Sequence, residues 1–214
     1  MAGLFITLEG VEGSGKSTQI EVLAEYFIQK DYSAIITREP GGTEIGDRIR
    51  ELLLDNSFDN LNDKAELLLY FASRAQHLAE VIKPALQKNK VVLCDRFSDS
   101  TLAYQGYARG IGPELIKELE ELSIGKLKPD LTFLLDIDPE VALARARNLT
   151  AAKFGDRIES EAIEFHQRVR AGYLELAEDQ DRFEVINANL TKEEVSAELL
   201  KRLKVRLEEY EDPK

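Results

Sequence analysis

The sequence predicts an α/β fold in three layers, built on a mainly parallel five-stranded sheet. Three observations carry that expectation. Short apolar runs at 4–8, 34–37, 91–94, 131–136 and 183–186 read as strands, and each is followed by a stretch with apolar residues at helical spacing. The first run leads straight into Gly10-Val11-Glu12-Gly13-Ser14-Gly15-Lys16-Ser17, two glycines separated by four residues and followed by Lys and a hydroxyl. A chain of 214 residues that is 43% apolar can bury one core, which predicts a single domain over 1–214.

The glycine-rich stretch needs a strand before it and a helix after it. Residues 4–8 supply the strand, and Ile20, Leu23, Ala24, Phe27 and Ile28 fall at helical spacing beyond Ser17. Glycines let successive backbone N–H groups turn inward around phosphate oxygens, while the helix presents its positive end to the same anion. Lys16 would reach β- and γ-phosphates, and the Ser17 hydroxyl would hold Mg²⁺.

Forty acidic against 28 basic residues give a formal charge of −12, which argues against nucleic acid or an anionic membrane as a partner. An anion site must therefore be locally basic. The one cysteine, Cys94, lies in an apolar run, so it is expected to be a small buried hydrophobe, and no intramolecular disulfide can form. Neither a leader-like segment nor a run of membrane-spanning length is present, so the expectation is a soluble, cytoplasmic protein. Residues 208–214 read as a solvated end.

Taken in order, the second strand ends in Arg38-Glu39-Pro40-Gly41-Gly42-Thr43, where Pro and paired Gly enforce a loop at the ligand-binding end of the sheet. Ile45, Ile49, Leu52 and Leu53 mark the next helix, beside which Arg48 and Arg50 are either solvated or available to an anion. A long helical pattern covers 63–88, with Pro84 expected to kink its end. Tyr70 and Arg74 share one of its faces, where a ring and a guanidinium can stack a planar base and bond its edge, or simply pack and carry charge. The third strand delivers Asp95-Arg96 to the end where the glycine loop lies; Asp95 is placed to hold Mg²⁺ and Arg96 to grip a phosphate. Ser100, Thr101, Tyr104 and Gln105 follow as pocket-lining or helix-capping groups. Asp138-Pro139 reads as N-cap and first helical residue. Arg145 and Arg147 precede a weakly patterned basic segment running to Arg157, either an exposed connection or a mobile cover over phosphates. Ile163, Val169, Tyr173 and Leu176 mark a further helix, and Thr191 with Glu194 forms a capping box ahead of Val195, Leu199 and Leu203. His77 and His166 read as structural or surface residues.

Glu9-Gly10-Val11-Glu12-Gly13-Ser14-Gly15-Lys16-Ser17-Thr18, Arg38 to Thr43, Ala72-Ser73-Arg74-Ala75-Gln76-His77, Asp95-Arg96-Phe97 and Ala103-Tyr104-Gln105-Gly106 together resemble the thymidylate kinase family, over nearly the whole chain. The resemblance implies a phosphate-loop nucleoside-monophosphate kinase fold and phosphorylation of dTMP to dTDP by ATP with Mg²⁺. It places ATP on Gly10, Glu12, Gly13, Ser14, Gly15, Lys16, Ser17 and Thr18, and the metal on Ser17 and Asp95. It places dTMP on Glu39, Pro40, Arg50, Tyr70, Arg74, Arg96, Ser100, Thr101, Tyr104 and Gln105. Tyr70, or the adjacent Phe71, would stack the thymine and Arg74 bond its edge; Arg50 and Arg96 would bind the acceptor phosphate, Tyr104 crowd a ribose 2′-hydroxyl, and Glu12 lie near the 3′-hydroxyl. Where one branch of the family carries a catalytic Arg in the phosphate loop, this chain has Gly13. The bacterial-type branch draws that cation from a lid, here about 145–157, with Arg147 and then Lys153 joining Lys16, Arg96 and Glu12 in catalysis. Arg157 would pair with a carboxylate such as Glu161. A homodimer is also implied. The alternatives are a kinase for another nucleoside monophosphate and a nucleotide-dependent switch; the guanine-reading Asn-Lys-x-Asp of GTPase switches is absent from the sequence.

Overall fold

The computed structural model describes residues 3–149 and 156–211, with the backbone alone at 147–149 and 211. Five strands, β1 (Leu4–Glu9), β2 (Ala34–Arg38), β3 (Val91–Asp95), β4 (Leu131–Asp136) and β5 (Phe183–Asn187), form one sheet in the order β2-β3-β1-β4-β5. Every pairing is parallel. The burial of β1 is complete from Leu4 to Glu9, as a strand with neighbours on both sides and helices on both faces requires, whereas the edge strands expose Ile36 and Val185. Register sets Leu8 beside Asp95, and Asp95 beside Arg38, so the loops after β1, β3 and β2 leave the sheet together. Ligands bind α/β sheets in that crevice.

Helices α1 (Lys16–Gln29), α2 (Glu44–Leu54) and α3 (Asp63–His77) precede β3. The 63–88 pattern is not one helix. It passes through a wide π-type turn, Leu78–Ile82, in which the Lys83 N–H returns to the Leu78 carbonyl, before α4 (Lys83–Gln87). Pro84 has no N–H to continue the regular ladder, and the wide turn takes up the mismatch. Beyond β3 come α5 (Ser98–Thr101), a second π-type stretch (Leu102–Ala108), α6 (Pro113–Ile124), α7 (Pro139–Leu149), α8 (Ile163–Glu178) and α9 (Lys192–Glu211). The Thr191–Glu194 capping box forms as expected, with Glu194 N–H on Thr191 Oγ1 and Thr191 N–H on the Glu194 carboxylate. Residues 208–210 are exposed but belong to α9. Phe27, Leu23, Phe133, Val169 and Leu199 belong to the larger core cluster, and Phe5, Phe97, Cys94 and Ile82 to a second one. Both histidines are fully buried, which removes the surface reading for each.

Two buried acids lock helices and loops together. Glu66 of α3 is inaccessible to solvent and takes Gln105, Arg109 and Arg157. Arg157 therefore pairs with Glu66 rather than with Glu161, which is held by Arg109 instead. The reason is burial: Arg157 is 8% exposed and also donates to the Leu53 carbonyl, so its partner has to be a carboxylate inside the fold. Burial raises the Glu66 pKa, but Gln105 and the two arginines outweigh it and hold the group ionised. Glu9, at the end of β1, accepts the Phe97 N–H at 2.7 Å and the hydroxyls of Ser100 and Tyr173 at 2.6 and 2.9 Å. Burial, then the Asp99 charge, push it up to about 7 against those bonds.

Replacing Glu66 by Ala leaves the buried Arg157 guanidinium without its carboxylate, and urea unfolding is expected to register a loss of about 3–5 kcal/mol. For Glu9 the folded pKa lies above the unfolded 4.5, so the native state binds the extra proton and stability falls as pH rises from 4.5 to about 7. Glu9→Gln removes that slope: urea unfolding at pH 5 and pH 7.5 should give the variant a stability gain over the parent that is larger at the higher pH.

Candidate active site

The phosphate loop leaves β1 at Gly10 and enters α1 through Gly15. Gly13 has φ +74°, and a Cβ there would lie 2.0 Å from the Ala142 carbonyl oxygen of α7. The close approach of α7 excludes any side chain, so a loop arginine at this position cannot fit. Lys16 is buried and donates through Nζ to the Gly10 and Val11 carbonyls at 3.1 and 2.9 Å. Burial, with the Arg96 charge nearby, pulls it down to about 8. The Ser17 hydroxyl lies 3.3 Å from Asp95 Oδ2, which sets two hard oxygen donors side by side, as a Mg²⁺ ion requires.

On the β4–β5 flank of this loop, a groove is lined by Ser14, Gly15, Thr18, Gln19, Arg145, Ala188, Leu190, Thr191, Lys192 and Val195. Arg145 donates to the Ala188 carbonyl at 2.8 Å, so it forms a wall of this groove rather than part of a loose cover. With Arg157 tied to Glu66 as well, both ends of the 145–157 segment are anchored. The Arg147 side chain and Lys153 lie outside the described residues.

On the β2–β3 flank lies a second pocket, and every acceptor position that the resemblance implied lines it: Glu39, Pro40, Arg50, Tyr70, Arg74, Arg96, Ser100, Thr101, Tyr104 and Gln105, with Glu12 at its mouth. Tyr70 lines the pocket, whereas Phe71 is buried with Leu67, Leu102 and Ile116. Sequence reasoning left out Leu54, Phe97, Asp156 and Ile158, also in the lining. Asp156 carries a recognisable signal, an Asx-type turn in which Oδ1 accepts the N–H groups of Ile158 and Glu159.

Arg74 spends Nε on Glu39 Oε2 at 2.6 Å and Nη2 on the Phe97 carbonyl and the Thr101 hydroxyl. Its remaining nitrogen, Nη1, is buried with no partner among the described residues. Arg96 sits at φ +68° and donates to Gly10, Ser100 and Tyr173 through Nη1 and to Glu12 and Tyr104 through Nη2. Burial alone would raise the Glu12 pKa, but Arg96, Lys16 and the Tyr104 hydroxyl overcome it and hold the carboxyl at about 2. Arg50 reaches the Pro40 carbonyl at 3.1 Å, and burial together with the charges of Arg38 and Arg96 pulls its pKa down. Neighbouring guanidinium charges repel one another, and an anion between them relieves the repulsion.

Comparison with known proteins agrees with this geometry. The thymidylate kinase family model matches residues 8–199. The chain is 54% identical to the thymidylate kinase of Halothermothrix orenii, over 95% of this chain and 98% of that protein. It is 52% identical to that of Syntrophotalea carbinolica, over 89% and 90%. The crystal structure of thymidylate kinase from Ehrlichia chaffeensis superimposes with a TM-score of 0.77 at 36% identity, covering 95% of this chain and all of that one. Matched from the strand before the phosphate loop to the last helix, the chain belongs to the thymidylate kinase family.

Proposed function

We propose that this chain transfers the γ-phosphoryl group of ATP to dTMP, with the base recognised in the Tyr70–Arg74 pocket. The observation that carries the reading is Arg74 Nη1, a buried donor without a protein partner, in the wall of a pocket that also presents an aromatic ring. A thymine carbonyl satisfies that donor, and Tyr70 covers the ring face. Arg50 and Arg96 seat the acceptor phosphate, while Tyr104 and Glu12 border the sugar. The groove containing Arg145 and Lys192 takes the base of the donor nucleotide. Lys16 and the loop N–H groups draw the donor phosphates toward the acceptor. Mg²⁺, held by Ser17 and Asp95, neutralises phosphate charge when bound. Catalysis is then positioning and charge stabilisation.

Gly13 leaves the loop without an arginine, so Arg147 near the end of α7 and Lys153 beyond it supply that cation. Exposed Ile45, Leu52 and Leu68 on α2 and α3 support a homodimer formed across that face. No helix among the described residues is long and apolar enough to cross a membrane, and a cytoplasmic location suits the buried Cys94 thiol.

Coupled assays with ATP, Mg²⁺ and each nucleoside monophosphate in turn test the reading. Strong preference for dTMP is expected, and Arg74→Ala should weaken dTMP use by roughly 1–3 kcal/mol while eroding the preference; equal turnover of dTMP and CMP by the parent would refute it. For the lid, Arg147→Ala combined with Lys153→Ala should lower turnover by on the order of 10³ or more with a far smaller change in dTMP affinity. Normal turnover with collapsed dTMP binding would instead assign the segment to the acceptor site.

A further inference from the structure

We propose that His77, which lines no part of the acceptor pocket, governs base recognition as a positioning residue: it holds the Glu39 carboxylate that aims Arg74. The inference rests on Arg74 being the group that reads the base.

Arg74 lines the pocket and keeps Nη1 unpartnered among the described residues only while the rest of its guanidinium stays fixed. One anchor is the start of α5, through the Phe97 carbonyl and Thr101. The other is Glu39, which sits on a loop and needs an anchor of its own. Its two oxygens are divided: Oε2 takes Arg74 Nε at 2.6 Å, and Oε1 takes His77 Nδ1 at 3.0 Å. A carboxylate oxygen accepts, so Nδ1 is the donor. His77 and Arg74 lie three residues apart on α3, and one helix face therefore grips the carboxylate at both oxygens. The second ring nitrogen, Nε2, meets Thr37 Oγ1 at 2.6 Å, which ties the ring to β2 two residues before Glu39.

The chain Thr37–His77–Glu39–Arg74 is inside the protein throughout, with exposures of 9%, 0%, 3% and 1%. Space for the ring is reserved by Gly42, at φ +80°, where a Cβ would come within 2.7 Å of His77 Nε2. Without the Nδ1 bond the Glu39 carboxylate is free to turn both oxygens onto Arg74, and the guanidinium then rotates away from the orientation that leaves Nη1 facing the base. Hydrogen bonds of this kind are strong in a buried, low-dielectric setting, and their geometry fixes the group they hold.

The experiment is steady-state phosphorylation of dTMP and of dCMP, which presents an amino group where thymine presents a carbonyl. It uses the full chain, His77→Phe, His77→Asn, Arg74→Ala and the His77→Phe/Arg74→Ala pair. His77→Phe should raise the KM for dTMP about tenfold and lower the dTMP-over-dCMP preference by a similar factor, with kcat and the KM for ATP within about twofold. His77→Asn, whose amide N–H falls near the Nδ1 position, should recover most of the loss. In the Arg74→Ala background, His77→Phe should change the dTMP KM by less than about twofold, because the two residues act as one unit. An unreduced effect in that background, a loss that falls on kcat or on ATP, or no loss at all would overturn the proposal. Arg74→Ala without effect on dTMP would overturn the base-reading role and this inference together, whereas an effect of Arg74→Ala with normal His77→Phe removes the inference alone. Should His77→Phe fail to fold, Thr37→Val, which takes the partner from Nε2 and leaves the ring, is read through the same cycle, with an expected rise of about threefold; no rise would overturn the proposal.

Discussion

Arg96 reaches five acceptors from a left-handed backbone position, and it ties the phosphate loop to the pocket on the β2–β3 flank. The conformation costs on the order of 1–3 kcal/mol for a residue with a side chain. What offsets it is visible in the backbone. The Arg96 N–H returns to the Leu8 carbonyl at 3.0 Å and the next N–H, of Phe97, enters the Glu9 carboxylate, so the turn after β3 is stitched to the end of β1. The side chain then runs back under the phosphate loop to the Gly10 carbonyl and Glu12. Loop, acceptor pocket and α8, through Tyr173, are joined by one guanidinium.

The molecule is strongly acidic, with a net charge of −12, yet Lys16, Arg50, Arg74 and Arg96 converge on one crevice. Each cation is managed differently. Arg96 has Glu12 and Arg74 has Glu39 as near neighbours, whereas burial, and after it the neighbouring guanidinium charges, lowers the proton affinity of Lys16 and Arg50. Preorganised charge of this kind stabilises a transferring phosphoryl group without rearrangement during the reaction.

The strands, most helices and the phosphate loop were legible in the sequence because each rests on local periodicity or on a motif with a backbone reason. The pocket lining on the β2–β3 flank was legible through the family resemblance, on motifs such as Asp95-Arg96 and Arg38 to Thr43. Partner choice was not. Glu161 stands four residues after Arg157 and looks like its partner, but Arg157 turns inward to Glu66, 91 positions away, and Glu161 is taken by Arg109. Helical spacing also could not reveal the π-type turn at Leu78–Ile82, since the apolar pattern continues through it. The contacts of Glu9 and His77 were not legible for a shared reason: their partners arrive from other elements, and an isolated Glu or His in a sequence carries no sign of them.

The sheet order places β1 at the centre, with the acceptor pocket built on the β2–β3 side and the groove containing Arg145 and Ala188 on the β4–β5 side. Among the described residues the two linings share no side chain. Energetic effects of substitutions add when sites have no common partners. A change of shape on one side is thereby free to leave the other untouched, and the phosphate loop, with Glu12 in one lining and Ser14 and Gly15 in the other, is the element answerable to both.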